Sequence, residues 1–130
     1  MGEILEHVTL LRQRETVRLD PDRLDDLFLK LGQHAAEDVV CRGLEELAAR
    51  LTHVEASYRE NRIEELRQNV RGLGAIADQL GMPMLTRVTR HVLACLDRDD
   101  PVAQAATLAR LLRVGETSLT EIWAIPSHCP

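Results

Sequence analysis

Apolar residues recur every three or four positions along most of the chain. Between about residues 34 and 59 they form one stripe: Val40, Leu44, Leu47, Leu51, Val54 and Tyr58. Alternating steps of four and three place such residues on one side of an α-helix. Charged residues fill the intervening positions, as on a solvated surface. The segment therefore predicts one long amphipathic helix.

Four other segments show the same period. A short stripe comes first: Leu24, Leu27, Phe28 and Leu31. Two stripes follow the long helix: Ile63, Leu66, Val70, Leu73, Ala77 and Leu80, and then Leu85, Val88, Val92 and Leu96. The last stripe is Ala105, Leu108, Leu112, Gly115, Leu119 and Ile122. Each stripe is predicted to face a shared core.

Capping residues mark where these helices begin. Asp20 and Asp100 each precede a proline, and this pairs a side-chain acceptor with a residue suited to the first helical position. Asn61, with Glu64 three residues later, predicts a capping box at the start of the third helix.

The connections between the long stripes are only a few residues long, which favours antiparallel neighbours. The sequence thus predicts an all-α fold, an antiparallel up-down four-helix bundle with a short additional N-terminal helix. The predicted organisation is an N-terminal extension at 1–19, the bundle at 20–125 and a tail at 126–130. Four apolar residues of the extension fit a helical turn or two, packed on the bundle or joining two copies into a homodimer: Ile4, Leu5, Val8 and Leu11.

Composition narrows the class of protein. Aromatic residues are 2% of the chain, so the core must be aliphatic, which favours helix over strand. A formal net charge of -5 argues against a general nucleic-acid binder. No apolar run approaches the roughly 20 residues that span a bilayer, and no signal pattern opens the chain, so we expect a cytoplasmic protein without membrane partners.

Residues 66–81, which read Leu-Arg-Gln-Asn-Val-Arg-Gly-Leu-Gly-Ala-Ile-Ala-Asp-Gln-Leu-Gly, resemble a known family. Together with residues 24–31, 45–51 and 59–62, they are similar to histidine-containing phosphotransfer domains. In that family the stretch reads approximately Ala-His-Ser-Leu-Lys-Gly-Ser, with Leu-Gly five residues further on. The resemblance covers about residues 20–122. It implies a helical bundle that exchanges a phosphoryl group with receiver domains and histidine kinases.

The histidine of that motif is absent. With the Leu80-Gly81 pair as anchor, the motif positions are occupied in order by Val70, Arg71, Gly72, Leu73, Gly74, Ala75 and Ile76. Arg71 stands where the family carries its phosphoacceptor. No histidine lies between His53 and His91, so a shift of register cannot restore the motif. The family's chemistry is therefore missing at its usual position.

Arg71 is predicted to point about 130° away from the centre of its stripe, toward solvent. A guanidinium stays protonated and cannot act as a phosphoryl acceptor. It could instead bind an acidic pocket on a partner, because receiver domains resemble one another in a pocket lined by aspartates. Alternatively, Arg71 pairs with Glu64 or Asp78, an interaction that contributes little.

The residues around Arg71 form a candidate docking face, which consists of Arg67, Arg71, Gly72, Gly74 and Ala75. Glycines inside a helix cost about 1 kcal/mol each relative to alanine, so they need a reason. One interpretation is that they let a partner's backbone approach. The other is that they relieve crowding against a neighbouring helix. The sequence favours neither.

The sequence thus predicts a non-catalytic signalling module that docks a receiver domain or histidine kinase. One alternative is a phosphotransfer protein with a displaced acceptor, for which His91 is the candidate. Another is a purely structural or oligomerising bundle. No residue pattern predicts a metal, a cofactor or an enzyme active site.

Overall fold

The computed structural model describes residues 20–123, which form five α-helices and no strand. In chain order they are α1 (Pro21–Leu31), α2 (Gln33–Arg59), α3 (Ile63–Leu80), α4 (Pro83–Asp97) and α5 (Pro101–Trp123). The predicted all-α class is confirmed. None of these helices is long and apolar enough to cross a bilayer. The predictions for the 1–19 extension and the 126–130 tail lie outside the described residues.

Two of the predicted helix starts are confirmed by their hydrogen bonds. The Asp20 carboxylate accepts from the backbone N–H of Asp22 at 3.0 Å, and Pro21 takes the first helical position. The Asp100 carboxylate accepts from the N–H of Ala103 at 3.1 Å. Each side chain satisfies a donor that the first helical turn leaves without an intrahelical partner.

The predicted capping box at Asn61 is wrong. Asn61 has φ 58° and lies in the left-handed region, while Arg62 precedes α3 without a side-chain cap. The N–H of Asn61 bonds to the carbonyl of Tyr58 at 3.1 Å, and the N–H of Arg62 to that of Ser57 at 2.8 Å. These two bonds form a Schellman motif, in which asparagine tolerates the left-handed conformation. Asn61 therefore ends α2 rather than starting α3.

Contacts between α2 and α3 show that these two helices run antiparallel. Gly43 of α2 faces Leu80 of α3, and seven residues further along α2 Arg50 covers Gly72, eight residues earlier in α3. Helix α4 packs in turn against α3 and α5, and α5 also packs against α2. Helices α2 to α5 therefore enclose one aliphatic core.

The predicted stripes of α3 and α4 are buried, except that Ile63 is half-buried. On α2 five of the six predicted residues are buried. Tyr58 is instead 40% exposed, and Ser57 takes its place in the interior. Ser57 and Tyr58 lie three and four residues after Val54, so both fit the helical period, and the period alone does not predict which of them is buried.

The predicted stripe of α5 is partly wrong. Ala105 is exposed, and Leu112 and Leu119 are only half-buried. The buried residues of this helix are Leu108, Leu111, Val114, Gly115 and Ser118. Because α5 packs against both α2 and α4, its buried side includes a neighbouring row of residues. The side chain of Ile122 is outside the described part.

Helix α1 lies outside the core, and none of its residues is fully buried. Phe28 and Leu31 of its predicted stripe are 37% and 46% exposed. The N–H of Asp20 bonds to the carbonyl of Gly81 at 2.6 Å, and Arg23 pairs with Asp78 at 3.1 Å. These bonds hold the start of α1 against the turn between α3 and α4.

Candidate docking face on helix α3

Arg71 is exposed on α3, on the opposite side from the buried residues Leu66, Val70 and Leu73. It forms no ion pair with any carboxylate of residues 20–123. The two carboxylates considered for it from the sequence have other partners. Glu64 lies 3.5 Å from Arg67, and Asp78 lies 3.1 Å from Arg23. The guanidinium of Arg71 therefore faces solvent with its donors available.

Arg67, one helical turn before Arg71, forms contacts within the structure. Its side chain is 18% exposed. The guanidinium donates to the backbone carbonyl of Leu96 at 3.2 Å and contacts the carboxylate of Asp97. Arg67 thus ties the first half of α3 to the last turn of α4, where a cation also complements the carbonyl end of the helix.

Both glycines beside Arg71 lie against neighbouring helices. The guanidinium of Arg50 on α2 covers Gly72, and a Cβ on Gly72 would lie 2.7 Å from Arg50 Nε. A Cβ on Gly74 would lie 2.9 Å from the hydroxyl of Thr89 on α4. The contact with buried Thr89 favours the interpretation that Gly74 relieves crowding inside the molecule, whereas Gly72 meets a flexible side chain that can move. Close approach by a partner is not needed to explain Gly74.

Ala75 is exposed, one turn after Arg71 on the same side of α3. Of the five residues in the candidate docking face, the structure therefore presents Arg71 and Ala75 to solvent. It places Arg67, Gly72 and Gly74 in half-buried positions that contact α2 or α4. A small residue beside the guanidinium leaves space around it.

Two residues around this face were not singled out from the sequence. Arg50 lies on the polar side of α2. No pattern in the sequence near it predicts that its side chain is half-buried over Gly72. Its Nε also lies 3.1 Å from the carboxylate of Glu46. Thr89 is buried, and its hydroxyl donates to the carbonyl of Thr86 at 2.6 Å. The contacts of Arg50 with Gly72 and of Thr89 with Gly74 depend on how α2 and α4 pack against α3, which the sequence alone does not show.

His91 is exposed on α4, but the structure does not bring it to Arg71. Thr89 marks the side of α4 that packs on α3 through Gly74. Two residues along a helix correspond to a rotation of about 200°, so His91 lies on the opposite side of α4. His91 and Arg71 therefore lie on different surfaces of the molecule.

The chemistry of the exposed face is that of a cation with several N–H donors. A guanidinium binds carboxylates and phosphates through paired hydrogen bonds and provides no nucleophile. Within the described range, no group of three or more histidine, cysteine, aspartate or glutamate residues is arranged to hold a metal ion. The exposed part of this face therefore offers positive charge and hydrogen-bond donors.

Comparisons of the chain with family models, curated proteins and solved structures find no match. The likeness to histidine-containing phosphotransfer domains thus rests on the residues themselves: the helix order, the Leu80-Gly81 pair and the substituted motif around Arg71. Support for a function comes from the exposure and pairing of those residues.

Proposed function

We propose that this chain is a non-catalytic module of the histidine-containing phosphotransfer type, an up-down four-helix bundle with a short first helix. It docks a receiver domain or a histidine kinase through the exposed part of the α3 face, Arg71 and Ala75. One observation carries the proposal. Arg71, which the resemblance aligns with the family's phosphoacceptor, is exposed and has no acidic partner among residues 20–123.

A receiver domain supplies the chemistry that an available guanidinium binds. Its acidic pocket presents carboxylates, and hydrogen bonds between charged groups are about twice as strong as neutral ones. Arg71 breaks no ion pair among residues 20–123 when it binds, because Glu64 lies beside Arg67 and Asp78 is paired with Arg23. Docking therefore costs mainly the ordering of one side chain.

The same face performs no phosphoryl transfer. A protonated guanidinium has no lone pair to attack phosphorus, so the complex holds the receiver domain without taking its phosphoryl group. The module would act by occupying the surface that a true phosphotransfer partner uses. The module would thus compete with phosphotransfer proteins for the receiver domain, and its effect would depend on its affinity for that domain.

The direct test is a titration of the full chain against a panel of purified receiver domains. For the domain that binds, we expect Arg71→Glu to weaken the affinity at least tenfold. The matched control is Arg42→Glu, another exposed helical arginine, on α2, and it should change the affinity less than about threefold. Absence of binding throughout the panel, or equal effects of the two variants, would contradict the proposal.

A second experiment separates docking from phosphotransfer. The chain is incubated with a phosphorylated receiver domain, and acid-sensitive label is measured on both proteins. We expect no label on this chain. Label that appears on the wild type and disappears in His91→Gln would establish a displaced acceptor, and the non-catalytic assignment would fail.

A further inference from the structure

The solvent side of α4 is basic in a chain that is acidic overall. The sequence has no Asp or Glu between Asp78 and Asp97, although the full chain carries 21 acidic residues. Arg87 and Arg90 are exposed on this helix, with His91 beside them. Asp97 at its last turn is already paired with Arg67. We call Arg87, Arg90 and His91 the α4 basic face.

Two guanidiniums of this face have no acidic partner in the described part of the chain. Neither Arg87 nor Arg90 forms an ion pair there. They are three residues apart, so they lie on neighbouring positions of one helix surface, with Cβ atoms about 5–6 Å apart. Two side chains at this spacing can bind two carboxylates presented together on a partner.

Both arginines line a cavity of about 300 Å³ between α1, α3 and α4. Two carboxylates also line it, but each is already engaged. Asp20 caps α1 by accepting from a backbone N–H, and Asp78 is paired with Arg23 at 3.1 Å. The charged side chains that line the cavity are three guanidiniums and two carboxylates, so one positive charge is in excess and the cavity favours an anionic group.

We propose that the α4 basic face binds an acidic protein segment, whose carboxylates pair with Arg87 and Arg90 and one of which enters the cavity. This surface differs from the Arg71 position, and its support is the charge and exposure of α4 together with the cavity beside it. The inference therefore holds whether or not Arg71 docks a receiver domain. A positive face on a negatively charged protein also orients an approaching acidic partner before contact.

The extent of the face favours an acidic protein over nucleic acid. Helix α4 has 15 residues and is about 22 Å long, so the face is a short patch. The other helices carry exposed carboxylates, for example Asp22 and Asp25 on α1. A long polyanion that extends beyond α4 would meet this negative charge.

A membrane surface fits less well than a protein segment. The large apolar side chains that the described residues expose lie on α1, α2 and α5: Phe28, Leu29, Leu31, Tyr58 and Val102. None of them lies on α4. Stable attachment to a membrane needs apolar burial in addition to charge, and the α4 basic face offers charge alone.

The test uses the full chain and a fluorescein-labelled decaglutamate peptide at about 0.01 M salt, where the Debye length is about 30 Å. We expect binding with amide shifts in NMR spectra that are concentrated in residues 83–97. The double variant Arg87→Gln/Arg90→Gln should weaken binding at least tenfold. The control Arg42→Gln/Arg59→Gln, which removes two exposed arginines of α2, should weaken it less than about threefold.

Three results would overturn the inference. The first is no binding of decaglutamate at low salt. The second is an equal loss in the two double variants, which would reflect only net charge. The third is tighter binding of decathymidylate, or of phosphatidylserine vesicles, to the same residues. Because all four substituted arginines are exposed, the variants should keep the wild-type melting temperature, which circular dichroism verifies.

Discussion

Arg67 and Arg71 stand one helical turn apart and look equivalent in the sequence, yet they have different roles. Arg67 is 18% exposed and bonds to the end of α4, while Arg71 is exposed and unpaired within residues 20–123. The sequence predicts Arg71 at the surface because that depends only on helix periodicity. The engagement of Arg67 with Leu96 and Asp97, about thirty residues away, depends on how two helices pair, and no local pattern encodes it.

This difference predicts opposite effects on stability. Arg67→Ala should lower the free energy of unfolding by about 1–2 kcal/mol, because it removes charge-assisted hydrogen bonds from a half-buried group. Arg71→Ala should change it by less than about 0.5 kcal/mol, as is usual for an exposed residue. Urea denaturation measures both. Equal losses for the two variants would show that Arg71 also belongs to the scaffold.

The glycines allow a second comparison at the residue scale. A Cβ on Gly115 would lie 2.6 Å from Leu51 Cδ2 in the core, so Gly115→Ala forces repacking that costs about 1–3 kcal/mol. The three atoms nearest to a Cβ on Gly72 all belong to the side chain of Arg50, which can swing outward.

Replacing a helical glycine by alanine raises the free energy of unfolding by about 1 kcal/mol through helix propensity at both positions. We therefore expect the Gly72→Ala variant to be as stable as the wild type or more stable. The Gly115→Ala variant should be about 1 kcal/mol less stable. Melting temperatures in the reverse order would contradict the packing described for α2 and α5.

At the scale of the elements, the order of the helices and most of their buried faces could be predicted from the sequence. Caps at Asp20 and Asp100 succeed because each hydrogen bond closes within three residues. The prediction for Asn61 fails because an asparagine between two helices can either end the first helix in the left-handed conformation or cap the start of the second. The buried face of α5 is centred on Leu111 and Ser118 rather than on Leu112 and Leu119, because α5 packs against both α2 and α4.

The attachment of α1 depends on Gly81, which has φ 75° and lies against the start of α1. A Cβ there would be 2.9 Å from the carbonyl oxygen of Asp20 and 2.8 Å from Arg23 Cβ. We expect Gly81→Ala to lower the free energy of unfolding by about 1–3 kcal/mol, through left-handed strain and this contact together. Amide hydrogen exchange in α1 should accelerate.

Gly81→Asn separates these two causes. Asparagine tolerates the left-handed conformation but still carries a Cβ. If the contact with Asp20 and Arg23 matters, asparagine should not restore wild-type stability or slow exchange in α1. Full restoration would mean that backbone strain alone explains the alanine variant.

At the scale of the whole molecule, interior pairing determines which residues remain available at the surface. Arg23 pairs with Asp78, Arg67 lies beside Glu64, and Arg50 covers Gly72. The sequence predicts a docking face of five residues, of which the structure exposes two. The reduction arises from contacts between helices, which a residue pattern along one helix cannot show. Of the predicted docking face, Arg71 is the guanidinium that has no acidic partner among residues 20–123. The α4 basic face is a separate surface.

The most direct test of the central claim is a double-mutant cycle between this chain and a receiver domain that binds it. Arg71→Ala is combined with alanine at the phosphoacceptor aspartate of the receiver domain, and four dissociation constants are measured by calorimetry. If Arg71 enters the acidic pocket, the two changes should be coupled by about 1.5 kcal/mol or more, as for close charge pairs. Additive effects, within about 0.5 kcal/mol, would show that Arg71 does not contact the pocket.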